Sequence, residues 1–378
     1  ALQELLNNTE PMSYSAHNLY TSLSVADTMA TTGFAQAEEE SSRSRARYND
    51  AIQKATLAAT ETAAGVSDVN TRELALIAQI QQQLPVYTGL VEVARTNNRS
   101  GNPVGAAYLA EASALMREQI LPAADELFSL TTRAVTDQQD RLTKPQWIPL
   151  SGLAAALVLL GAGQYWLTLR TNRRFNKGFV YATAFMLTAL LWVSMANWAT
   201  WHAGRKGFEE ASAPLGSLAN SRIVAQQART EETLALIRRQ DLEGWNNSFN
   251  GSMHRIESAL DSYSALPIAS SEANQQSTEV AHGAIEKWKE HHSELSELQR
   301  VGNYEDAMKV ALGPGDDAFS EFDSSMASLI SDARSGLRSY IMDALVATRL
   351  VSSAVLTLSW LAVIAVALGI RPRLQEYL

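Results

Sequence analysis

The sequence predicts an all-α integral membrane protein with two extracytoplasmic four-helix-bundle domains continuous with transmembrane helices. Three observations carry this: three long apolar stretches almost free of charge, apolar residues spaced by three and four through the polar remainder, and basic residues gathered beside the apolar stretches. The 378 residues are 46% hydrophobic and 19% charged, with 31 bases against 40 acids and no cysteine. Such a composition excludes a disordered chain, a disulfide-stapled scaffold and a thiolate metal site, and the net charge of -9 argues against a nucleic-acid partner.

Residues 1–146 form the first bundle. Leu74, Ile77, Ile80, Leu84, Tyr87, Val91 and Ala94 share one helix face, and Leu109, Ala112, Met116, Ile120, Ala123, Leu127, Leu130 and Ala134 share another. Breaks near 33–42, 65–68 and 101–105 divide the segment into four helices, with Ser67 and Asp68 suited to an N-cap. Pro85, Pro122 and Pro149 should bend their helices locally.

Residues 147–169 form the first span, since roughly 20 apolar residues cross a hydrocarbon core and Trp147, Tyr165 and Trp166 suit its interfaces. The short loop 170–178 carries Arg170, Arg173, Arg174 and Lys177 without an acid, which places it in the cytoplasm. The second span, 179–201, ends in Trp198 and Trp201. Residues 202–344 repeat the bundle plan, a long helix from about Arg205 to Asp241 being followed by turns at Gly244 and Trp245, at Pro267 with Ser270 and Ser271, and at Gly302 and Asn303. The third span, 345–370, has Arg349 close enough to its start to snorkel, and the tail 371–378 is cytoplasmic with Arg371 and Arg373. Residue 1 is then already outside, which calls for either a removed signal peptide or a further span before it; the further span is the expectation, giving two equal halves. The location is the plasma membrane, multi-pass, with large extracytoplasmic domains.

In an up-and-down bundle, turns at 65–68 and 266–270 lie near the bilayer, and the distal tips are 33–42 with 98–104 and 241–245 with 300–304. Asn98, Arg99, Asn102, Trp245, Arg300, Asn303 and Tyr304 are the candidate partner-binding residues outside. Trp245 is either an exposed hot spot or a plug for the bundle end. The run Glu38, Glu39, Glu40 beside Arg43, Arg45, Arg47 is either a docking surface or a pair of solvated helix ends. Inside, Arg170, Arg173, Arg174, Phe175, Asn176 and Lys177 form the candidate handle for a recruited protein, against the plain reading of a topogenic cluster touching anionic lipid.

No P-loop, nucleotide fingerprint, kinase signature, His-Glu-x-x-His or Gly-x-Ser-x-Gly occurs, so neither an enzyme nor a cofactor is expected. His282, Glu286, Glu290, His291 and His292 have spacings that could put two metal ligands on one face, but the interleaved Lys287 and Lys289 read as a solvated face with ion pairs. A transporter is disfavoured because the spans lack charged or broken positions at mid-depth.

Several longer motifs resemble one family. Tyr87-Thr88-Gly89-Leu90-Val91, Asn98-Arg99, Gly101 to Leu109, Met116-Arg117 and Ile120 to Ala124 are similar to the first extracytoplasmic domain of the actinobacterial GlnX family. Ala228 to Leu234, Trp288 with His292, Gly302 to Ala307, and Arg173-Arg174-Phe175-Asn176 resemble its later segments. The resemblance implies a four-span signalling protein that relays aspartate or glutamate status from a periplasmic amino-acid-binding lipoprotein, GlnH, to the cytoplasmic serine/threonine kinase PknG, and so to 2-oxoglutarate and nitrogen metabolism. In such a relay the ligand-loaded lipoprotein is expected to dock on the distal tips, the surfaces furthest from the bilayer. One alternative keeps the fold and makes the protein a direct small-ligand sensor of chemoreceptor type, with Arg72, Arg95 or Arg117 clamping a carboxylate between helices. Another is a structural accessory subunit of a cell-envelope complex. A homo-oligomer is compatible with each.

Overall fold

A computed structural model describes residues 2–36, 42–66, 71–143, 147–171, 176–207, 211–238, 242–348 and 351–374, and among them there is no strand. The chain opens with α1 (Leu2–Glu4) and a π-helical turn (Leu5–Thr9), then α2 (Glu10–Ala35), α3 (Ser42–Gly65) and α4 (Arg72–Arg99). Next, α5 (Val104–Leu115) runs through a π segment (Met116–Ile120) into α6 (Leu121–Thr143), followed by α7 (Trp147–Thr171) and α8 (Lys177–Gly207). The second half holds α9 (Ala213–Arg238), α10 (Leu242–Ser264), a 3-10 turn (Pro267–Ser270), α11 (Glu272–Arg300), α12 (Tyr304–Leu312), α13 (Pro314–Thr348) and α14 (Val351–Leu374).

Local sequence explains most of these boundaries. Thr71, in extended conformation, caps α4 by accepting from the Leu74 amide, and Ser271 does the same for Asn274 at the start of α11. The cap expected at Ser67 and Asp68 lies outside the described residues. Both tips end in the same chemistry: Arg99-Ser100-Gly101-Asn102 closes α4 and Arg300-Val301-Gly302-Asn303 closes α11. Gly101 and Gly302 take the left-handed φ values 64° and 80° that a side chain would oppose. Asn102 N and Asn303 N then reach back to the carbonyls of Asn97 and Leu298, at 2.9 and 2.8 Å.

Prolines act through π geometry. The π segments at 5–9, 116–120 and 211–212 each precede a proline, namely Pro11, Pro122 and Pro214. A proline ring inside an α-helix collides with the carbonyl four residues back, and a wider turn at that point relieves the collision. One consequence is a shift in face. After 116–120 the buried line along α6 runs through Leu127, Thr131 and Val135, while Leu130 and Ala134, expected on the core side, are half-buried. Pro85 stays inside α4 without such a segment.

The chain divides into two compact units, the larger comprising Glu4–Asp137 with Glu209–Leu337. The two long polar segments, read separately from the sequence, therefore share one unit. Their first helices, α2 and α9, supply the shared seam. Both are buried on nearly every side and are rich in alanine, serine and threonine, which lets neighbours approach from all directions. Across the seam Thr28 Oγ1 lies 3.0 Å from Thr230 Oγ1 and donates to the Gln226 carbonyl at 3.2 Å. Ile223 and Leu234 of α9 join the core built by Leu19, Leu23, Ile80, Tyr87, Met116 and Ile120. The opposite side of α9 supplies Leu218 and Ala225 to a second core around Trp288, Phe319, Phe322 and Met326.

The smaller unit comprises Ala1–Gln3, Gln138–Phe208 and Arg338–Leu378. Its interior is Leu153, Ala182, Met186, Ala189, Val193 and Ala362, from α7, α8 and α14. Large apolar side chains face outward here, Leu159 at 72%, Leu191 at 70% and Trp360 at 68% exposure among them, a surface that suits lipid and not water. Among the described residues two helical runs are long and apolar enough to cross a membrane, Lys177–His202 and one within Tyr304–Arg371; Leu150–Trp166 is apolar but shorter. At one end Asn176 caps α8 by accepting from Gly178 N at 3.0 Å and donates from Nδ2 to the Gly369 carbonyl, also at 3.0 Å. The helices meet there on two glycines, since a Cβ on Gly178 would lie 2.6 Å from the Gly369 Cα.

Candidate functional site

Three polar features stand out inside the larger unit. The first is a buried charge network around Glu232. Arg229 donates from Nη1 to Glu232 Oε2 at 2.5 Å and from Nη2 to the Ala311 carbonyl at 2.6 Å, with Asp316 Oδ1 at 3.3 Å. Trp288 Nε1 donates to the same carboxylate at 3.3 Å, and His292 Nδ1 lies 3.0 Å from its other oxygen. Beyond His292, Nε2 meets Asn246 Oδ1 at 3.0 Å, and Phe249 stacks on the ring at 3.5 Å. Burial alone would raise the Glu232 pKa; the bonds and charges of His292 and Arg229 outweigh it and hold the carboxyl below its usual range. The network joins α9, α10, α11 and α13, so its residues fix helix positions rather than meet solvent.

The second feature is Asp27, in the middle of α2. Ser113 donates to Oδ2 at 2.8 Å and Tyr87 to Oδ1 at 3.2 Å, linking α2, α4 and α5. Complete burial raises this carboxyl to about 6, opposed by the Ser113 bond, the Arg117 charge and the Tyr87 bond. His17, ten residues earlier on the same helix, is lowered to about 4 by burial and then by the Arg222 charge. Its ring lies between Tyr14 and Phe128.

The third feature is a cavity of about 1050 Å³ walled by α2 and α3 from the first segment and α9 and α13 from the second. Its charged lining is balanced, Arg47, Lys54, Arg222 and Arg334 against Asp50, Glu61, Asp316 and Asp323. Arg222 grips Asp323 through Nε and Nη2 at 2.7 and 2.8 Å, and Gln226 Nε2 adds a third bond to Asp323 at 2.8 Å. Arg334 reaches Glu10 Oε1 at 2.8 Å while stacking 3.4 Å over the Tyr14 ring. Gln226 is 2% exposed, and its Oε1 has no partner among the described residues. Such a buried acceptor favours an occupant that can donate to it.

The residues expected from the sequence fall variously. Arg99, Asn102, Arg300 and Asn303 are exposed at the two glycine-closed tips; Asn98 and Tyr304 are half-buried, and Asn98 Nδ2 donates to the Phe34 carbonyl at 2.8 Å. Trp245 is not presented to a partner. It is 8% exposed and packs 4.3 Å from the His292 ring, the plug of the two readings, because the apolar indole closes the end of the α9–α11 core. Asn176 is also buried, its amide spent on capping α8 and on Gly369. Lys177 is exposed at the start of α8. Arg173, Arg174 and Phe175, and Glu38, Glu39 and Glu40, lie outside the described residues, as does the side chain of Arg170.

Of the suggested clamp arginines, Arg72 is exposed and held by both oxygens of Glu126 at 2.7 Å; Arg95 is buried 4.3 Å over the Tyr48 ring with Glu92 at 2.8 Å; and Arg117 donates to the Ser113 carbonyl. None of them lines the large cavity, whose arginines are Arg47, Arg222 and Arg334. The histidine-rich face divides among separate partners: His282 turns to Asp261, His291 to Glu294 and His292 to Glu232. Among the described residues no group of three or more histidines and carboxylates is placed to hold a metal ion.

No curated protein and no solved structure matches this chain. Residues 1–140 match the model of the actinobacterial sensor domain, and that match supports an actinobacterial sensor protein with a sensing or signalling role.

Proposed function

We propose that the protein is a non-catalytic membrane relay that passes extracytoplasmic aspartate or glutamate status, through a solute-binding lipoprotein, to a cytoplasmic serine/threonine kinase controlling 2-oxoglutarate and nitrogen metabolism. In this reading 147–169, 179–201 and 345–370 span the plasma membrane, and 170–178 and 371–378 face the cytoplasm. The observation that supports its sensing part is the sensor-domain match over residues 1–140, a segment that shares its core with Ile223 and Leu234 of the second segment. A partner docked on the first segment thereby gains a mechanical path to α9. The exposed tip residues Arg99, Asn102, Arg300 and Asn303 suit docking, and Arg170, Arg173, Arg174 and Lys177 suit recruitment inside.

The lipoprotein moves the relay only by its difference in affinity for two helix arrangements. The test is binding of radiolabelled aspartate and glutamate to the detergent-purified chain, alone and with the lipoprotein. Ligand-dependent capture of the lipoprotein is expected; no capture in either condition refutes the relay.

A second reading, a direct small-ligand sensor, is favoured by the cavity of about 1050 Å³ and by Gln226 in its wall, whose Oε1 has no partner among the described residues.

A further inference from the structure

We propose that the cavity between α2–α3 and α9–α13 binds a small zwitterion of no net charge, its ammonium or amide donor on Gln226 Oε1 and Asp323 and its carboxylate on Arg222. This names the ligand class for the direct-sensor reading and rests on that reading.

The charge balance of the lining selects the class. Each sign is represented by four groups, and the pairs Arg222–Asp323 at 2.7 Å and Lys54–Asp50 at 2.7 Å are already closed. A polyanion or polyamine would have to break the Arg222–Asp323 pair and leave those partly buried charges without counter-charge, which costs more than it returns. A zwitterion instead lies antiparallel to a pair, offering a donor where the wall is acidic and an acceptor where it is basic. Gln226 sharpens the choice. Its Nε2 is committed to Asp323 at 2.8 Å and its buried Oε1 has no partner among the described residues, so a ligand nitrogen that reaches this oxygen satisfies an open acceptor. Asn18 and Ser22 add neutral hydrogen-bonding groups to the wall. The volume exceeds what one amino acid fills, so ordered water or a short peptide backbone completes the packing.

Occupancy also has a consequence for signalling, because the walls come from both segments. A ligand bridging Gln226 on α9 and residues of α2 or α3 biases the same seam that Thr28 and Thr230 hold.

The test uses the full chain in detergent, titrated calorimetrically with L-glutamine and glycylglycine, then with L-glutamate, citrate and spermidine. Saturable binding of at least one net-neutral probe, tighter than L-glutamate by tenfold or more and absent for citrate and spermidine, is expected. Gln226→Leu should weaken that binding at least tenfold. Ser320→Trp, which fills the cavity from a half-buried wall position, should abolish it and guards against misfolding of the first variant. No saturable binding of either net-neutral probe, or binding unchanged in Ser320→Trp, overturns the proposal. Lipoprotein capture without probe binding by the chain alone overturns this site and leaves the relay standing; probe binding without lipoprotein capture does the reverse.

Discussion

Asp27→Asn should unmask an acid sensitivity that His17 confers and Asp27 offsets. The folded carboxyl sits at about 6 against an ordinary 3.8. Its neutral form is therefore favoured on folding, a contribution complete below the unfolded value and lost as pH rises through about 6. At about 1.4 kcal/mol for each tenfold change in proton affinity, the loss is about 3 kcal/mol. His17 works in the opposite sense: its folded value of about 4 against 6.5 gives a contribution present above 6.5 and lost as pH falls toward 4, again about 3 kcal/mol. Over the same window the two nearly cancel. In Asp27→Asn, with Ser113 and Tyr87 still able to bond the amide, stability at pH 7 rises and the uncompensated His17 removes about 2–3 kcal/mol between pH 7 and 4.5. For a unit of this size that is a fall of about 5–10 °C in melting temperature beyond wild type. The assay is tryptophan-monitored melting of the detergent-purified chain at several pH values. A variant that melts with wild type at pH 7 and tracks it on acidification refutes the reasoning.

Removing Arg229 as Arg229→Leu leaves Glu232 buried without its closest cation, and a loss of about 3–5 kcal/mol is expected, read as a lower melting temperature. Gly101→Ala and Gly302→Ala each force a side chain into left-handed backbone and should cost about 1 kcal/mol, separately and additively, in the same melt. Gly369→Val places its Cβ 2.6 Å from Asn176 Oδ1 and should part α8 from α14; faster amide exchange at Gly178 measures it, and unchanged exchange counts against the glycine contact.

Much of the helix order was legible because glycine, serine and proline punctuate it, and the stripe from Ile77 to Ala94 reads as a core face since only one side of α4 is buried. Helices α2 and α9 gave no such stripe. Their burial on all sides is achieved with Thr28, Thr31, Ser221 and Thr233, residues that look equally at home in solvent. Asp27 was invisible for the same reason: one acid in a run of small polar residues resembles an ordinary surface charge until Tyr87 and Ser113 arrive from other helices. The Arg229, Glu232, Trp288 and His292 positions stood out by resemblance, and their geometry explains their company as one hydrogen-bonded network. The cavity escaped notice because Arg47, Gln226, Asp323 and Arg334 lie on three separate helices with no sequence spacing to join them.

The seam of α2 with α9 has a mechanical character that follows from what fills it. Interlocking leucines hold two helices like gear teeth, whereas hydroxyls such as those of Thr28 and Thr230 can exchange one oxygen partner for another along the helix. Each such bond contributes about 1 kcal/mol net, so exchanging one oxygen partner for another costs little of itself. A ligand favours one set of partners over another only by as much as its affinity differs between the two arrangements. The hydroxyls are thus the part of the seam that can change partners, while Ile223 and Leu234 against Leu19 and Leu23 hold its setting.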